Sequence, residues 1–182
     1  MFQAAHDALT GLISRSEFER RLARVLAEAT LGAAEHALCY LDLDRFKQVN
    51  DQCGHEAGDD LLKALGQLLA GRLRSRDTIG RLGGDEFGII LEHCCVAKAE
   101  EIAGALQRAI AEFRYSWGGR SFVLGASIGV VPLTPTSGRA ADVLRAADDA
   151  CYAAKAAGGN RVYLGTEVGP GVQQQLETRR IT

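Results

Sequence analysis

Apolar residues recur along the chain at two alternating periods, and the switches between them lay out its elements. Phe18, Leu22, Val25, Leu26 and Ala29 fall at helical spacing with Glu and Arg between them, which predicts an amphipathic helix over 16–30. Ala37-Leu38-Cys39-Tyr40-Leu41-Asp42-Leu43 is a nearly unbroken apolar run, the mark of a strand covered on both faces. Leu61, Leu62, Leu65, Leu68 and Leu69 return to the helical period and predict a helix over 57–72, with Asp59 and Asp60 in a first turn where the helix dipole favours acids. Two short extended runs, Thr78-Ile79-Gly80-Arg81-Leu82 and Phe87-Gly88-Ile89-Ile90-Leu91, then flank Gly83-Gly84-Asp85-Glu86. They predict a β-hairpin whose glycines reverse the chain through positive φ and hold two carboxylates at the tip. A helix over 96–113 rests on Ile102, Leu106 and Ile110, and Phe122, Leu124, Ala126, Ile128 and Val130 alternate along one strand entered from a Gly118-Gly119 turn. A last helix, 139–157, carries Val143, Leu144, Ala147 and Tyr152, and Arg161 to Leu164 forms a short strand.

The order α, β, α, β-hairpin, α, β, α, β predicts an α+β, ferredoxin-like domain: a mainly antiparallel sheet flanked by helices, with the hairpin at one end. The domain is expected over 1–164, and the Gly- and Gln-rich residues 165–182 read as a tail or interdomain linker. No internal repeat is present.

Composition narrows the class. A chain of 182 residues with 47% hydrophobic and 24% charged positions has the profile of one ordinary soluble domain. Its net charge of −2 offers no basic field to a nucleic acid polymer. The N-terminus has no basic segment leading into an apolar one, and the long uncharged stretch from Ser121 to Ser137 is broken by prolines and glycines; neither a signal peptide nor membrane contact is expected. Five cysteines without a CxxC pair suggest neither a disulfide framework nor a zinc site and fit a reduced, cytoplasmic setting, with Cys39 and Cys151 serving as small hydrophobes.

The candidate chemistry gathers around the hairpin. Asp42-Leu43-Asp44 ends the first strand, with both carboxylates on one side, and a carboxylate there needs a partner or a metal. Arg45 to Asp51 then supplies a cation, Lys47, and an amide, Asn50, before Gly54-His55 and Gly58-Asp59 lead into the helix. Amides at a strand-to-helix turn suit phosphate oxygens, and Asn50 with Asp59 has the donor and acceptor types that read a purine edge. Taken singly, Lys47 would serve as well as a solvated charge and Asp59 as a helix cap. Neither GxxxxGK[ST] nor a strand–GxGxxG–helix occurs, so neither the P-loop nor the dinucleotide way of holding phosphates is offered.

These stretches resemble the GGDEF-domain diguanylate cyclases, which condense two GTP into cyclic di-GMP on a fold shared with nucleotide cyclases and polymerase palms. The matching segments are Asp7-Ala8-Leu9-Thr10-Gly11-Leu12, Asp42 through Asp51, Gly54-His55 with Gly58-Asp59, Arg81-Leu82-Gly83-Gly84-Asp85-Glu86-Phe87, Ser127-Ile128-Gly129-Val130 and Ala147 through Lys155. The resemblance implies Mg²⁺ (or Mn²⁺) held by Asp42, Asp85 and the Leu43 carbonyl. It implies that Asp85 helps deprotonate the attacking 3′-hydroxyl and that Glu86 supports the site. Asn50, His55 and Asp59 would face guanine and ribose, and Lys47 and Lys155 the triphosphate, Lys47 stabilising charge as pyrophosphate leaves. A homodimer of antiparallel half-sites would be needed for catalysis. Arg74-Ser75-Arg76-Asp77, five residues before Gly83, would form an inhibitory RxxD site for the cyclic di-GMP product, its second arginine unassigned beyond Arg108.

Two departures qualify the match. Gly159 stands where the family commonly has a cation for the terminal phosphates, a lost contact of about 1.5–3 kcal/mol unless Arg161 replaces it. Ser14 stands where the family often has Asn. The chain begins almost at the Asp7 motif and ends in a stretch like the connector to a phosphodiesterase domain in some relatives, so it is expected to be one domain of a longer signalling protein. The alternative reading is a weakly active or inactive module that binds GTP or cyclic di-GMP and regulates an adjacent domain. A cyclase acting on a single nucleotide shares the fold but does not call for the RxxD site.

Overall fold

In the computed structural model, which describes residues 5–166, the chain runs α1 (Arg15–Thr30), β1 (His36–Asp44), α2 (Phe46–Cys53), α3 (His55–Ala70), β2 (Thr78–Gly83), β3 (Glu86–Leu91), α4 (Val96–Glu112), β4 (Arg114–Trp117), β5 (Arg120–Val123), β6 (Gly125–Leu133), α5 (Ala140–Ala156) and β7 (Arg161–Leu164). The main sheet has the order β2-β3-β1-β6-β7, antiparallel throughout except for the parallel β6–β7 pair. Its first four strands, joined through α2–α3 and through α4, are the expected split βαβ arrangement. The fold is α+β, and α5 adds β7 on the outer edge.

β1 is apolar on both faces because it borders two cores. Ala37, Cys39, Leu41 and Leu43 point to one side, against Leu61 and Leu65 of α3 and Leu106 of α4. Leu38 and Tyr40 point to the other, against Phe18 and Leu22 of α1 and Val143 and Ala147 of α5. Each fully buried leucine here stabilises the fold by roughly 2 kcal/mol. By the same alternation Asp42 falls on the α1–α5 side, at the strand's open end.

The elements depart from the sequence reading in four places. The segment after Asp44 forms a separate helix, α2, whose apolar signal is a single buried residue, Val49. The next helix therefore starts at His55, so Asp59 and Asp60 lie in its second turn and Glu56 is the first-turn acid. The Gly118-Gly119 turn sits inside a two-stranded ribbon, β4–β5, and the sheet strand starts afresh at Gly125; Phe122 belongs to the ribbon. Neither Gly83 nor Gly84 takes positive φ, although eight other glycines among the described residues do. Gly84 and Asp85 form the turn between the paired Gly83 and Glu86, and a bulge at Leu82 supplies the local twist. Cys39 and Cys151 are buried and all five cysteines are free. Ser14 caps α1, its side chain accepting from the Glu17 N–H. Among the described residues no helix is long and apolar enough to cross a membrane. Of the tail expected over 165–182, all but the first two residues lie outside the described part.

Candidate active site

Strand register sets where the acids stand. Asp42 pairs with Glu86 on one side and Ser127 on the other, so the end of β1 meets the start of β3. The turn residue Asp85 is tied to the same place: the Leu43 N–H donates to its carbonyl at 3.2 Å. Arg81 holds the tip from the other side, donating to the Gly84 carbonyl through Nε at 3.0 Å and Nη2 at 2.9 Å, and lies 3.4 Å from Asp7. Burial works to raise the Asp7 carboxyl, but the N–H and hydroxyl of Thr10, with Arg81, outweigh it and hold Asp7 below the usual carboxylate range. The glycines leave the tip bare. A Cβ on Gly84 would meet nothing, and one on Gly83 would press within 3.1 Å of Glu86 Oε2.

Asp42 is the electrostatic centre. The Lys155 ammonium pairs with Oδ1 at 2.8 Å, and no further donor reaches this buried oxygen among the described residues. Burial, opposed by Lys155 and reinforced by the charges of Asp85 and Glu86, pushes Asp42 up to about 6. The ammonium marks a position where positive charge is favoured. Among the described residues no three His, Cys, Asp or Glu side chains form a ready-made metal cage. The donor set of two carboxylates and a backbone carbonyl suits Mg²⁺ or Mn²⁺ instead, since a hard cation of this kind keeps positions for water and phosphate oxygens.

Asp44, on the same side, has a different task. Ser127 Oγ donates to it at 2.8 Å and the Asn160 N–H at 2.7 Å, so it fastens β6 and the α5–β7 turn to the end of β1. That turn runs through positive φ at Gly158, Gly159 and Asn160, and a Cβ on Gly159 would stand 3.0 Å from Asp44 Oδ2. Arg161 does not replace the absent cation: its Nε donates back to the Gly159 carbonyl at 3.0 Å.

The second group of residues hangs from α2 and α3. Arg45, left-handed at φ 66°, turns the chain out of β1, and Lys47 is exposed on the first turn of α2. Gly54, at φ 86°, closes α2 and opens α3, where His55 and Asp59 stand exposed one turn apart. Asn50 lies across the backbone of Gly58 so closely that a Cβ there would come within 1.9 Å of its Oδ1. The sequence candidates therefore form two groups, Asp42, Leu43, Asp85, Glu86 and Lys155 at one, Asn50, His55 and Asp59 at the other, with Lys47 next to both along the chain.

Arg74 and Asp77 stand apart, in the turn after α3. They close on each other: Arg74 donates to Asp77 through Nε at 3.1 Å and Nη2 at 3.0 Å, and the Asp77 side chain is only 2% exposed. The Arg74 guanidinium is 48% exposed and also reaches the Glu92 carbonyl. Arg108 folds back along α4 toward Gly104.

Three contributions escaped the sequence reading. Asp148 of α5 is raised by burial and by the charge of Glu86, which adds another acid to the Asp42 side; its signal was the seven-residue spacing to Lys155, two turns on one helix face. Burial and Glu86 likewise raise the Tyr40 phenol. The contacts of Arg81 with Gly84 and Asp7 had no signal beyond the nearness of Arg81 to the glycines.

The family described as "Diguanylate cyclase, GGDEF domain" matches residues 4–161. The chain is 45% identical over 163 residues to the probable diguanylate cyclase DgcE of Escherichia coli, covering 90% of this chain and 15% of that protein. It is 35% identical over 165 residues to the cyclic di-GMP phosphodiesterase PdeB of Shewanella oneidensis, covering 89% of this chain and 18% of that protein. It therefore spans less than a fifth of the length of either relative. Among solved structures, the GGDEF domain of DgcB from Caulobacter crescentus in complex with c-di-GMP matches with a TM-score of 0.84 at 27% identity, over 90% of this chain and 97% of that one.

Proposed function

The chain belongs to the diguanylate cyclase GGDEF-domain family, and from that premise we propose that it condenses two GTP into cyclic di-GMP with release of pyrophosphate. The observation that carries this reading is the buried Oδ1 of Asp42 beside the Asp85 turn, met by the Lys155 ammonium at 2.8 Å, a place that favours positive charge. Asp42, Asp85 and the Leu43 carbonyl would hold Mg²⁺ or Mn²⁺. That ion, when bound, neutralises phosphate charge and polarises the reacting oxygens. Asn50, His55 and Asp59 read guanine and ribose. Lys155, drawn off Asp42, and Lys47 take the triphosphate, and Lys47 neutralises the departing pyrophosphate. Asp85 receives the proton of the attacking 3′-hydroxyl as its oxygen bonds the α-phosphorus, and Glu86 orients the turn. One chain offers one GTP and no second nucleotide, so two chains work as an antiparallel pair. Arg74, presenting its exposed face while keeping Asp77, takes product as an inhibitor.

A second reading has one specific observation behind it. Gly159 brings no cation and Arg161 turns away, which weakens the hold on the terminal phosphates and favours a GTP- or cyclic di-GMP-binding module that regulates a neighbouring domain. Pyrophosphate release from GTP and Mg²⁺, measured on the chain fused to a constitutive dimeriser and on its Asp85→Ala variant, separates the two. The cyclase forms cyclic di-GMP and the variant loses at least about a hundredfold in rate. GTP binding without pyrophosphate release assigns the regulatory module.

A further inference from the structure

The ribbon β4–β5 is remote in sequence from every residue assigned to the site, yet its contacts converge on one place. The Tyr115 side chain, 5% exposed, sets its hydroxyl 2.8 Å from the Ala57 carbonyl and 3.1 Å from Asp60 Oδ2, donating toward both from a single O–H. Arg120, on the second strand, donates to Gln52 Oε1 at 3.5 Å. Gln52 is the penultimate residue of α2, and Ala57 and Asp60 belong to the opening turns of α3. The ribbon thus spans the Gly54 joint, whose left-handed φ of 86° is a conformation that glycine takes at little cost and that supplies no side chain to stiffen it. Asn50 precedes that joint, and His55 and Asp59 follow it; Asp59 is the immediate neighbour of Asp60. Phe122 lies against Tyr115, ring centroids 6.5 Å apart, and Ser116 and Ser121 hydrogen-bond across the strands, so the ribbon carries its own internal support.

We propose that Tyr115 is a positioning residue for purine selection: through the Ala57 carbonyl and Asp60 it fixes the start of α3, and so the angle at which Asp59 meets the base relative to Asn50. This rests on the reading of Asn50 and Asp59 as the guanine-facing pair. Among the described residues no side-chain hydrogen bond or ion pair joins the ribbon to Asp42 or Asp85, so its influence falls on base discrimination rather than on the chemical step. A carboxylate that accepts from the guanine ring N–H and amino group is sensitive to angle, because a small tilt lengthens both bonds together. Inosine triphosphate keeps the ribose and the phosphates and lacks only the amino group, so the ratio of GTP to ITP affinity reads that contact directly.

The test is calorimetric titration of the whole chain with GTP and with ITP, both in Ca²⁺ buffer to slow turnover, for the wild type, Tyr115→Phe and Arg120→Ala. Tyr115→Phe keeps the ring and removes only the hydroxyl. It is expected to weaken GTP about five- to tenfold and ITP, which keeps only the ring N–H bond, by about two- to threefold, narrowing the ratio. Arg120→Ala, an exposed change that leaves the core intact, is expected to narrow the ratio about twofold and keeps the idea testable if the phenylalanine variant fails to fold. An unchanged ratio in a folded Tyr115→Phe, or equal weakening of both nucleotides, overturns the inference and leaves the cyclase reading standing. A wild type that binds neither nucleotide, or binds both equally, overturns the guanine-site reading and this inference with it.

Discussion

At the scale of single residues the site turns on Asp42. Its carboxyl is pushed up to about 6 by burial and by Asp85 and Glu86, against the pull of Lys155. A raised carboxylate favours the proton in the folded state, so its contribution to stability is full below the unfolded value and declines as pH rises through about 6. A divalent cation held there, as proposed, would have to displace that proton. Mg²⁺ or Mn²⁺ affinity is therefore expected to be about tenfold weaker at pH 5 than at pH 7, with protons released on binding, and Mn²⁺ titration by electron paramagnetic resonance at the two pH values checks it. Equal affinity at both would remove Asp42 from the ligand set. The neighbouring Asp44 shows why residue type alone misleads: it is the same acid on the same face of the same strand, but Ser127 and Asn160 occupy it.

At the scale of elements, the hairpin depends on what holds its turn. Arg81 fixes the Gly84 carbonyl and touches Asp7, which joins the loop before α1 to the tip. Arg81→Ala is expected to lower the rate of pyrophosphate release about tenfold while lowering Tm by no more than about 4 °C, since the sheet register itself is set elsewhere. A loss of rate matched by a collapse of Tm would make Arg81 a folding residue. Most elements were legible in the sequence: α1, β1, α3, the hairpin strands, α4, α5 and the short β7 were each anticipated to within two residues. α2 was not, because eight residues with one buried position give no period to detect. The β4–β5 ribbon merged with β6 because alternation continues across Leu124, where only geometry shows the break. Asn50 and Gly58 were both singled out, but that one side chain lies over the other's missing Cβ was not readable from spacing. The turn glycines were expected to serve through φ, and serve by leaving the backbone open.

At the scale of the whole molecule, two cores share one sheet, and every proposed substrate contact is tied to the same few residues at the end of β1. The Leu43 N–H anchors the Asp85 turn, Asp44 anchors the turn after α5, and Arg45 begins the path to Asn50 and Asp59. A half-site of the proposed kind would need Lys155 to leave Asp42 but no rebuilding of the strand end. If two chains must meet for reaction, as proposed, specific activity is expected to rise in proportion to chain concentration at high dilution and to level off once pairs form. Progress curves over a hundredfold dilution series measure it, and a flat specific activity would show a chain that works alone. The bond from the Leu43 N–H to the Asp85 carbonyl then bears on more than local order. It ties the turn to the strand end in each copy, so in the proposed pair output follows how many copies meet, with product at Arg74 as the brake, and a cell would tune it by crowding rather than by bending the hairpin.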